Sequence, residues 1–229
     1  HVPRPLPVVA SSIQAPLRLD PRQKGLLWYS TYGVDFAATY VIANTSGATI
    51  KQTIVASGVA APSVTGKVLL GSGNDLFDVA GGTVSGDISF GAGNNTYKLS
   101  GDAVHTGKAV FGAGIDMLSL AGTARFIGDA DFGGGAGTLM LENSSVFSGL
   151  LMNSGGVAVK VSGGVLSVAS PVSIASLEVG AAGTLLATLD RTAGEGTLYN
   201  VAGVASFANG ATLALGLTDV DDAEGRYTL

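Results

Sequence analysis

The sequence predicts an all-β protein: a right-handed parallel β-helix, that is, a three-sided β-solenoid of about 20–21 residues per coil. Two observations predict this fold. Glycines recur with spacings of 20, 21, 21 and 21 residues, and a fixed period of this length indicates a solenoid whose stacked coils share one core. Each period also contains three short alternating runs between Gly-rich turns, which favours strands over helices. The periodic glycines are Gly66, Gly86, Gly107, Gly128 and Gly149.

The composition agrees with a folded β-protein and excludes several classes of function. Glycine supplies 35 of the 229 residues, hydrophobic residues make up 46% and charged residues only 13%, unlike a disordered chain. The net charge of −5 and the absence of a basic cluster argue against nucleic-acid binding. The chain has no cysteine, which excludes disulfides and thiolate metal sites and suits passage through an oxidising periplasm. No apolar run approaches the ~20 residues that a membrane-spanning helix needs.

Residues 1–39 are predicted to be a Pro-rich and aromatic N-terminal segment or cap. Five of the seven prolines lie in residues 1–25, which favours an extended linker or a strap along the surface. The aromatic residues that follow have two interpretations: an apolar plug that closes the open end of the solenoid, which we favour because terminal repeats need caps, or a sugar-binding platform. These aromatic residues are Trp28, Tyr29, Tyr32, Phe36 and Tyr40. Because the sequence begins at His1 without Met or a signal-peptide pattern, it is expected to be an excised fragment.

Residues 40–171 are predicted to be the β-helix repeat stem. Alternation assigns one parity of each strand to the interior and the other to the surface. One outward column then alternates in charge down the stack, and each opposite-charge pair on neighbouring strands would contribute about 0.2–1 kcal/mol. This column comprises Lys67, Asp87, Lys108 and Asp129, and Asp78 with Lys98 forms a second candidate pair. The predicted interior residues are Val68, Leu70, Phe77, Val79, Ile88, Phe90, Tyr97, Leu99, Ala109, Phe111, Leu118, Leu120, Ala130, Phe132, Leu139 and Leu141.

Residues 172–229 are predicted to be the C-terminal end of the β-helix. Their alternating strands are longer than those of the stem and are interrupted by fewer glycine corners. Coils exchange interface energy only with their neighbours, so folding can start at the most stable end and propagate. We expect that end to be this one, with the slowest hydrogen exchange around Leu185, Leu198 and Leu213, while residues 1–60 open most readily.

Several segments carry a resemblance to a protein family. The segment LGSGNDLFDVAGGTVSGDISFGAGNNTYKLSG, residues 70–101, resembles the repeats of bacterial autotransporter (type V secretion) passenger domains. The segments GTLLATLD, VASFANGATLALGL and GRYTL resemble the autochaperone, or junction, region that precedes the outer-membrane barrel in that family. The resemblance covers roughly residues 40–229, and repeats followed by this C-terminal pattern are more specific than repeats alone.

The resemblance implies the structural stem of a secreted or surface-displayed passenger, which nucleates passenger folding and presents an upstream effector. It implies export through the periplasm and outer membrane to the outside or surface of a Gram-negative bacterium, with the protein's own C-terminal outer-membrane β-barrel as its partner. A host or surface glycan or protein is a further candidate ligand, and the chain is expected to be a monomer. Some such passengers carry a subtilisin-like protease ahead of the stem, but this chain itself is expected to be no enzyme and to hold no cofactor and no metal.

The corner sequence GSGND, residues 71–75, resembles the nonapeptide of calcium-binding β-rolls, in which Asp and carbonyl oxygens bind the cation. That architecture needs an acidic residue about every nine residues, whereas the period here is 20–21. The position of Asp75 becomes Asn95, Asp116 and Gly137 in later repeats, so the column loses its oxygens. We therefore interpret these glycines as structural corners and predict that calcium is dispensable.

The sequence offers little for nucleophilic catalysis. Its histidines are His1, in the Pro-rich segment, and His105, which shares a column with Val84, Phe126 and Phe147. His105 is therefore expected to be a stacked or partly exposed residue of the repeat rather than a catalytic base, which would need a placed partner and nucleophile. The sequence contains no Gly-x-Ser-x-Gly elbow, and no Gly-rich corner leads into the Lys-Ser/Thr and helix of a phosphate loop.

Paired carboxylates are considered because pectin-degrading β-helices use them. Asp129 and Asp131 share a strand face near the column of Asp87, but interleaved lysines favour a solvated charge ladder over a glycosidase pair. Residues 219–225, DVDDAEG, are interpreted as an exposed acidic turn. The main alternative to the stem is an adhesin or carbohydrate-binding β-helix module that uses Trp28 and nearby tyrosines. A hydrolase of the polysaccharide-lyase kind is the other rival.

Overall fold

The computed structural model describes residues 17–24, 27–34, 37–42, 45–53, 61–169, 171–190 and 195–217, and it describes side chains for residues 39–42, 45–53, 61–169, 171–188 and 196–216. In this part of the chain the secondary structure consists of strands, turns and bends without a helix. The parallel strands stack as a β-solenoid of about six turns. The predicted fold class, an all-β parallel solenoid, is confirmed.

The described residues form 24 strands. They are β1 (Leu17–Lys24), β2 (Leu27–Val34), β3 (Ala37–Ile42), β4 (Thr49–Gln52), β5 (Ser63–Leu70), β6 (Leu76–Val79), β7 (Thr83–Ser85), β8 (Ile88–Ser89), β9 (Thr96–Leu99), β10 (Val104–Thr106), β11 (Ala109–Val110), β12 (Ile115–Leu120), β13 (Arg125–Ile127), β14 (Ala130–Asp131), β15 (Ala136–Leu141), β16 (Val146–Gly149), β17 (Leu151–Met152), β18 (Gly156–Val168), β19 (Val172–Ile174), β20 (Ser176–Asp190), β21 (Glu195–Gly196), β22 (Tyr199–Val201), β23 (Ala205–Phe207) and β24 (Thr212–Leu217).

Three strands make up each regular coil, because a strand pairs with the strand three places later in the chain. β8 pairs in parallel with β11, and β11 with β14, so that Ile88, Ala109 and Ala130 lie in register. The same order joins β7 to β10 and β13, and β9 to β12 and β15. The period of the glycines in the sequence is therefore the period of the coils.

The predicted interior residues are all buried. Their side chains are between 0% and 9% exposed, and they belong to one hydrophobic cluster that runs from Val68 to Leu185. Aromatic rings stack inside it: the ring centroid of Phe111 lies 4.7 Å from that of Phe90 and 5.1 Å from that of Phe132. Neighbouring strands lie about 4.8 Å apart, so like side chains at one inner position meet face to face.

The N-terminal part differs from the predicted linker where it is described. β1 and β2 pair antiparallel in a two-stranded sheet, with Pro21 opposite Ser30, so residues 17–24 form a strand. Proline is tolerated there because each strand of a two-stranded sheet has one edge without a strand partner. Residues 1–16, which hold the other four prolines of the predicted linker, lie outside the described residues.

The aromatic residues of the predicted plug are described only in part. Phe36 lies outside the described residues, and so do the side chains of Trp28, Tyr29 and Tyr32, although β2 carries these three residues. Tyr40 packs, partly buried, against the hydrophobic core. The choice between plug and sugar-binding platform therefore stays a prediction.

The two longest strands lie on either side of the predicted boundary at residue 172: β20 belongs to the predicted C-terminal end, as expected, whereas β18 belongs to the predicted stem. β18 has 13 residues and β20 has 15, and the two pair in parallel with one register shift between Val161 and Gly163. Each of them bends around a corner at which the earlier coils have two separate strands. β18, for example, pairs with both β15 and β16. Residues 218–229, with the predicted acidic turn, lie outside the described residues.

The exposure of the last described coil bears on one expectation about stability. Leu198 and Leu213 are 40% and 48% exposed, whereas Leu185, one coil earlier, is 4% exposed. A coil that packs against a neighbour on one side only loses about half of its stacking contacts, so it opens first. We now expect slow hydrogen exchange at Leu185 and faster exchange at Leu213. Equal protection of these two amides would show that a further layer covers the last coil in solution.

Candidate functional site

The corner that resembles a calcium-binding loop holds a ladder of hydrogen bonds between coils. Asp75, Asn95 and Asp116 occupy this corner in successive coils, and each is at most 2% exposed. The Oδ1 atom of Asp75 accepts the N–H of Ala48 at 2.6 Å, that of Asn95 accepts the N–H of Asp75 at 3.0 Å, and that of Asp116 accepts the N–H of Asn95 at 2.8 Å. Each side chain thus satisfies a main-chain donor in the preceding coil. We call these three residues the inner corner ladder.

The residues before the first two ladder positions, Asn74 and Asn94, bond in the opposite direction. Asn74 Oδ1 accepts the N–H of Asn94 at 2.7 Å, and Asn94 Oδ1 accepts the N–H of Ile115 at 2.8 Å, so these exposed amides reach the following coil. A corner cannot use strand pairing to satisfy its N–H groups, and short Asn and Asp side chains supply the acceptors instead. The Asn-Asp and Asn-Asn pairs in the sequence therefore tie each corner to the coils on both sides.

Two carboxyl oxygens in the inner corner ladder have no hydrogen-bond partner. They are Oδ2 of Asp75 and Oδ2 of Asp116, and both atoms are buried. Burial raises the pKa of Asp75, although the hydrogen bond from the N–H of Ala48 acts to lower it. Burial likewise raises the pKa of Asp116, against two hydrogen bonds from Asn95. The column ends at Gly137, which has no side chain to continue it.

The ladder gives the corner acids a structural use that does not involve a cation. One oxygen of each acid is engaged by a main-chain donor, and the positions are one coil apart rather than gathered around a point. Among the described residues, no group of three or more His, Cys, Asp or Glu side chains is arranged to hold a metal ion. That calcium is dispensable stays a prediction.

Chelation is expected to leave the melting temperature unchanged. Asp116→Asn provides the matched variant, because it keeps the accepting oxygen and removes a buried charge whose pKa is raised. Its melting temperature should equal or exceed that of the wild type in chelator and in calcium alike. A calcium-dependent rise of more than a few degrees, lost in Asp116→Asn, would contradict the structural interpretation.

The outward charge column is in register, but its acids bond to the main chain. Lys67, Asp87, Lys108 and Asp129 follow one another down the stack. Asp87 Oδ1 accepts the N–H of Lys108 at 3.0 Å, and Asp129 Oδ1 accepts the N–H of Leu150 at 3.2 Å. The acids of this column therefore repeat the function of the corner ladder at a second corner.

The predicted ion pairs of this face are largely wrong. Lys108 Nζ lies 3.4 Å from Oδ2 of Asp131, two residues beyond Asp129, which was the predicted partner of Lys108. Among the described residues, this is the one ion pair. Asp78 and Lys98 lie opposite each other on the paired strands β6 and β9, but their side chains form no ion pair. Long, exposed lysine side chains lose entropy when they are held, so main-chain donors compete successfully for the carboxylates.

Asp131 is held in place by two hydrogen bonds and one ion pair. Its Oδ1 accepts hydrogen bonds from Gly133 N at 3.1 Å and from Asn153 Nδ2 at 2.7 Å. Burial acts to raise the pKa of Asp131, but these hydrogen bonds and the Lys108 ammonium outweigh it and lower the pKa overall. A low pKa suits an acceptor that stays charged, whereas a general acid needs a raised one.

His105 is buried in the aromatic core. Its register column runs Val84, His105, Phe126, Phe147, as the sequence predicts, and its ring stacks on Phe126 at a centroid distance of 4.6 Å. The side chain is 0% exposed, so of the two expectations the stacked one is confirmed and the partly exposed one is wrong.

The polar partner of His105 was not foreseen. Nδ1 of His105 lies 2.9 Å from the hydroxyl of Tyr97, and Nε2 has no hydrogen-bond partner. Burial lowers the pKa of His105 to about 4, while the Gly107 main chain and the Asp87 carboxylate act in the opposite direction. The imidazole is therefore neutral at pH 7. Sequence reasoning missed the pair because Tyr97 and His105 lie on different sides of the same coil, and strand alternation predicts only that both point inward.

Acid is expected to destabilise the protein through His105. The pKa of His105 is about 4 in the folded state and 6.5 when unfolded, so the unfolded chain binds more protons between these values. Stability is full above pH 6.5 and is lost as the pH falls towards 4, with about 2 kcal/mol lost by pH 5 from this group. Urea unfolding at pH 7.5 and pH 5 measures this loss.

The matched control for the acid effect is the double variant Tyr97→Phe/His105→Phe. It removes both partners of the buried hydrogen bond and continues the phenylalanine column of Phe126 and Phe147, so no polar atom is left unpaired. Its stability should change less between pH 7.5 and pH 5 than that of the wild type. The same pH dependence in both proteins would assign the acid effect to carboxylates.

Gln52 is a second buried polar residue that the sequence did not indicate. It is 6% exposed, and its Nε2 donates to the carbonyl oxygens of Gly81 at 2.9 Å, Pro62 at 3.2 Å and Thr83 at 3.3 Å. Later coils carry Val79 and Leu99 at the same inner position. The amide nitrogen thus bonds to one carbonyl of its own coil and to two of the following coil, while Oε1 of Gln52 is buried without a hydrogen-bond partner.

An apolar cavity lies at the N-terminal end of the solenoid. It has a volume of about 230 Å³ and is open to solvent on one side. Strands β3 to β6 supply its lining residues, which are Tyr40, Ile42, Ile50, Ser63, Val64, Val68 and Phe77. Two lining residues, Tyr40 and Ser63, carry a hydroxyl and the other five are apolar, so the cavity suits apolar side chains better than sugars, which need several directed hydrogen bonds.

The described residues contain no helix with the length and apolarity that a membrane crossing would require. Comparison of the chain with protein families, with curated proteins and with solved structures found no match.

Proposed function

We propose that this chain is the structural stem of a secreted or surface-displayed autotransporter passenger, which nucleates passenger folding and presents an upstream effector. One observation supports this role most directly: the side chains that could perform chemistry hold coils together instead. Asp75, Asn95, Asp116, Asp87 and Asp129 each accept a main-chain N–H from a neighbouring coil. The chain itself is proposed to have no enzymatic activity.

The same hydrogen bonds suit a rod that resists extension along its axis. They run between coils, as the strand pairs do, so extension along the stack would have to break both sets together. Each hydrogen bond contributes only about 0.5–1.5 kcal/mol, but the bonds repeat at every coil and act together. A continuous buried core from Val68 to Leu185 excludes water from the interior and leaves few loops for a protease.

Export is proposed to run through the periplasm and the outer membrane of a Gram-negative bacterium, with the protein's own C-terminal outer-membrane β-barrel as partner. The C-terminal residues would then emerge first. β18 and β20, which form the longest pairing and bury Leu177, Val179 and Leu185, supply a layer on which later coils can stack. The proposal is supported by this local stacking, since each coil needs only its neighbour as a template.

A chimaera tests the proposed role. The chain is placed between a signal peptide with an N-terminal reporter and the barrel of an autotransporter, and it is expressed in a Gram-negative host. We expect the reporter to be displayed on the cell surface and the stem to resist added protease. The variant that lacks residues 172–229 should display the reporter poorly and lose protease resistance. Normal display and resistance without residues 172–229 would contradict the nucleating role.

Point variants separate folding from secretion in the same chimaera. Phe111→Ala removes a buried ring of the core, whereas Lys108→Ala changes a partly exposed side chain one strand position before Ala109. If folding outside the cell drives export, Phe111→Ala should reduce surface display and Lys108→Ala should not. Equal display of both variants would show that export does not depend on folding of this stem.

A further inference from the structure

The corner residue Asn94 begins an N-glycosylation motif, Asn94-Asn95-Thr96. Asparagine followed two residues later by Ser or Thr, with any residue but Pro between them, is the acceptor sequence for N-linked sugars. The chain contains two more such motifs, at residues 44–46 and 143–145, and residue 44 lies outside the described residues. A three-residue motif also occurs by chance, so its structural context decides whether it is a site.

The fold presents the reactive atom of Asn94 to solvent. The side chain of Asn94 is exposed, and its Oδ1 accepts the N–H of Ile115 in the following coil at 2.8 Å. A carboxamide accepts through its oxygen and donates through its nitrogen, and no described residue accepts a hydrogen bond from Nδ2 of Asn94. N-linked sugars are attached at Nδ2. The hydrogen bond between coils and a sugar therefore use different atoms of this side chain.

The hydroxyl of the motif lies on the same side of the chain as Asn94. Thr96 is the first residue of β9 and is half-buried, whereas its neighbours Asn95 and Tyr97 are 1% and 0% exposed. Because the residue between them points inward, Asn94 and Thr96 both point outward. These two side chains define the motif, and both are on the outer surface of the corner.

The equivalent corner one coil earlier shows that folding does not require the hydroxyl. Asn74 is exposed like Asn94, and its Oδ1 accepts the N–H of Asn94 at 2.7 Å. The third residue of that corner is Leu76, which is the register partner of Thr96. The hydrogen bonds of the corner thus explain Asn94, but they do not explain why Thr96 completes the motif.

We propose that Asn94 is an N-glycosylation site of this chain. Nδ2 attacks the anomeric carbon of a sugar carried on a diphosphate, so that a C–N bond forms and the C–O bond to the diphosphate breaks. The diphosphate leaves with the electron pair, and a base of the transferase takes one proton from Nδ2. The attached sugar lies beside Ile115, which is 67% exposed, and shields this apolar side chain from water. The site is independent of the proposed stem role.

The motif at Asn143 reports when modification happens. Asn143 is exposed, and its Oδ1 accepts the N–H of Gly122 at 3.2 Å. Its hydroxyl residue, Ser145, is 0% exposed and donates to the carbonyl oxygen of Leu120 at 3.2 Å. Folding therefore closes this motif and leaves that of Asn94 open. A transferase that acts before folding modifies both residues, and one that acts on the folded chain modifies Asn94 alone.

Peptide mass spectrometry of the protein from the cells that produce it tests the site. We expect a sugar on Asn94, and its loss in Thr96→Ala, which removes the motif and keeps the hydrogen bonds of Asn94 to both neighbouring coils. Thr96→Ser should keep the sugar. Leu76→Thr should gain a sugar on Asn74, because it completes the motif at a corner of the same geometry. An unmodified Asn94, or a sugar that persists in Thr96→Ala, would overturn the proposal.

Reconstitution with two kinds of transferase identifies the donor. A soluble transferase supplied with a nucleotide-diphosphate hexose adds one hexose, whereas a membrane transferase supplied with a lipid-diphosphate oligosaccharide adds the whole oligosaccharide. The arm whose product matches the native mass gives the source. The modified chain should melt within a few degrees of Thr96→Ala, because Oδ1 of Asn94 keeps its hydrogen bond. Failure of both arms, or a sugar on Asn94 that prevents folding, would overturn the proposal.

Discussion

Replacing Phe111 with Ala is expected to lower the free energy of unfolding by about 3–5 kcal/mol. The ring is 2% exposed and lies between those of Phe90 and Phe132 at centroid distances of 4.7 and 5.1 Å. Its removal leaves a cavity, because the coils above and below are held at the strand spacing by main-chain hydrogen bonds and cannot collapse into it. Urea unfolding monitored by circular dichroism measures the loss.

Lys108→Ala is the control for Phe111→Ala. The ammonium of Lys108 pairs with Asp131 at 3.4 Å, but the side chain is 36% exposed, and ion pairs of this kind contribute less than about 1 kcal/mol. The hydrogen bond from Lys108 N to Asp87 is a main-chain bond that the substitution keeps. Equal losses in the two variants would mean that the ring of Phe111 is not buried in solution.

Replacing Gly128 with Ala is expected to cost about 3 kcal/mol or more. Gly128 has a φ of +142°, where an L-residue is strained by about 1–3 kcal/mol. A Cβ at this position would also overlap the carbonyl oxygen of Gly107 in the preceding coil, so that the two coils would have to move apart. Both terms act on the folded state, and the unfolding midpoint in urea measures their sum.

Gly155→Ala is the matched glycine control. A Cβ on Gly155 meets nothing within 4 Å, and its φ is not in the positive region. The substitution should be neutral or slightly stabilising, because Ala loses less backbone freedom on folding than Gly. If Gly128→Ala were as benign as Gly155→Ala, the periodic glycines would be flexible spacers and not points of close approach between coils.

The core could be predicted from the sequence because its signal is local and repeated. Residues such as Val68 and Leu70 alternate with polar neighbours, and the same alternation returns 20–21 residues later, so strand parity and stacking register follow together. The column of Val84, His105, Phe126 and Phe147 was found in the same way. Period and parity were thus available before any contact was known.

The roles of the polar residues could be predicted only in part. That Asp75 serves a structural corner was predicted, but its partner, the N–H of Ala48, was not. The register of the charge column from Lys67 to Asp129 was predicted correctly, but its ion pairs were predicted wrongly. Its acids bond to main-chain donors that no sequence pattern marks. A change of less than an ångström in the donor–acceptor distance makes or breaks a hydrogen bond, and that distance is set by the shape of the corner.

The sequence by itself determined the solenoid: the glycine period, the inner parity and the run of stacked aromatic residues are properties of the chain order, and one repeating unit can bury its apolar face only against another. The tertiary structure decided what lies between distant positions. It brought Tyr97 to His105, left Leu213 half exposed in the last described coil and formed an apolar cavity beside Val64 in the first. These features depend on how the sides of one coil meet and on where the stack ends. Alternation within a strand carries no information about either, because it specifies a direction for each side chain and not the group that the side chain meets.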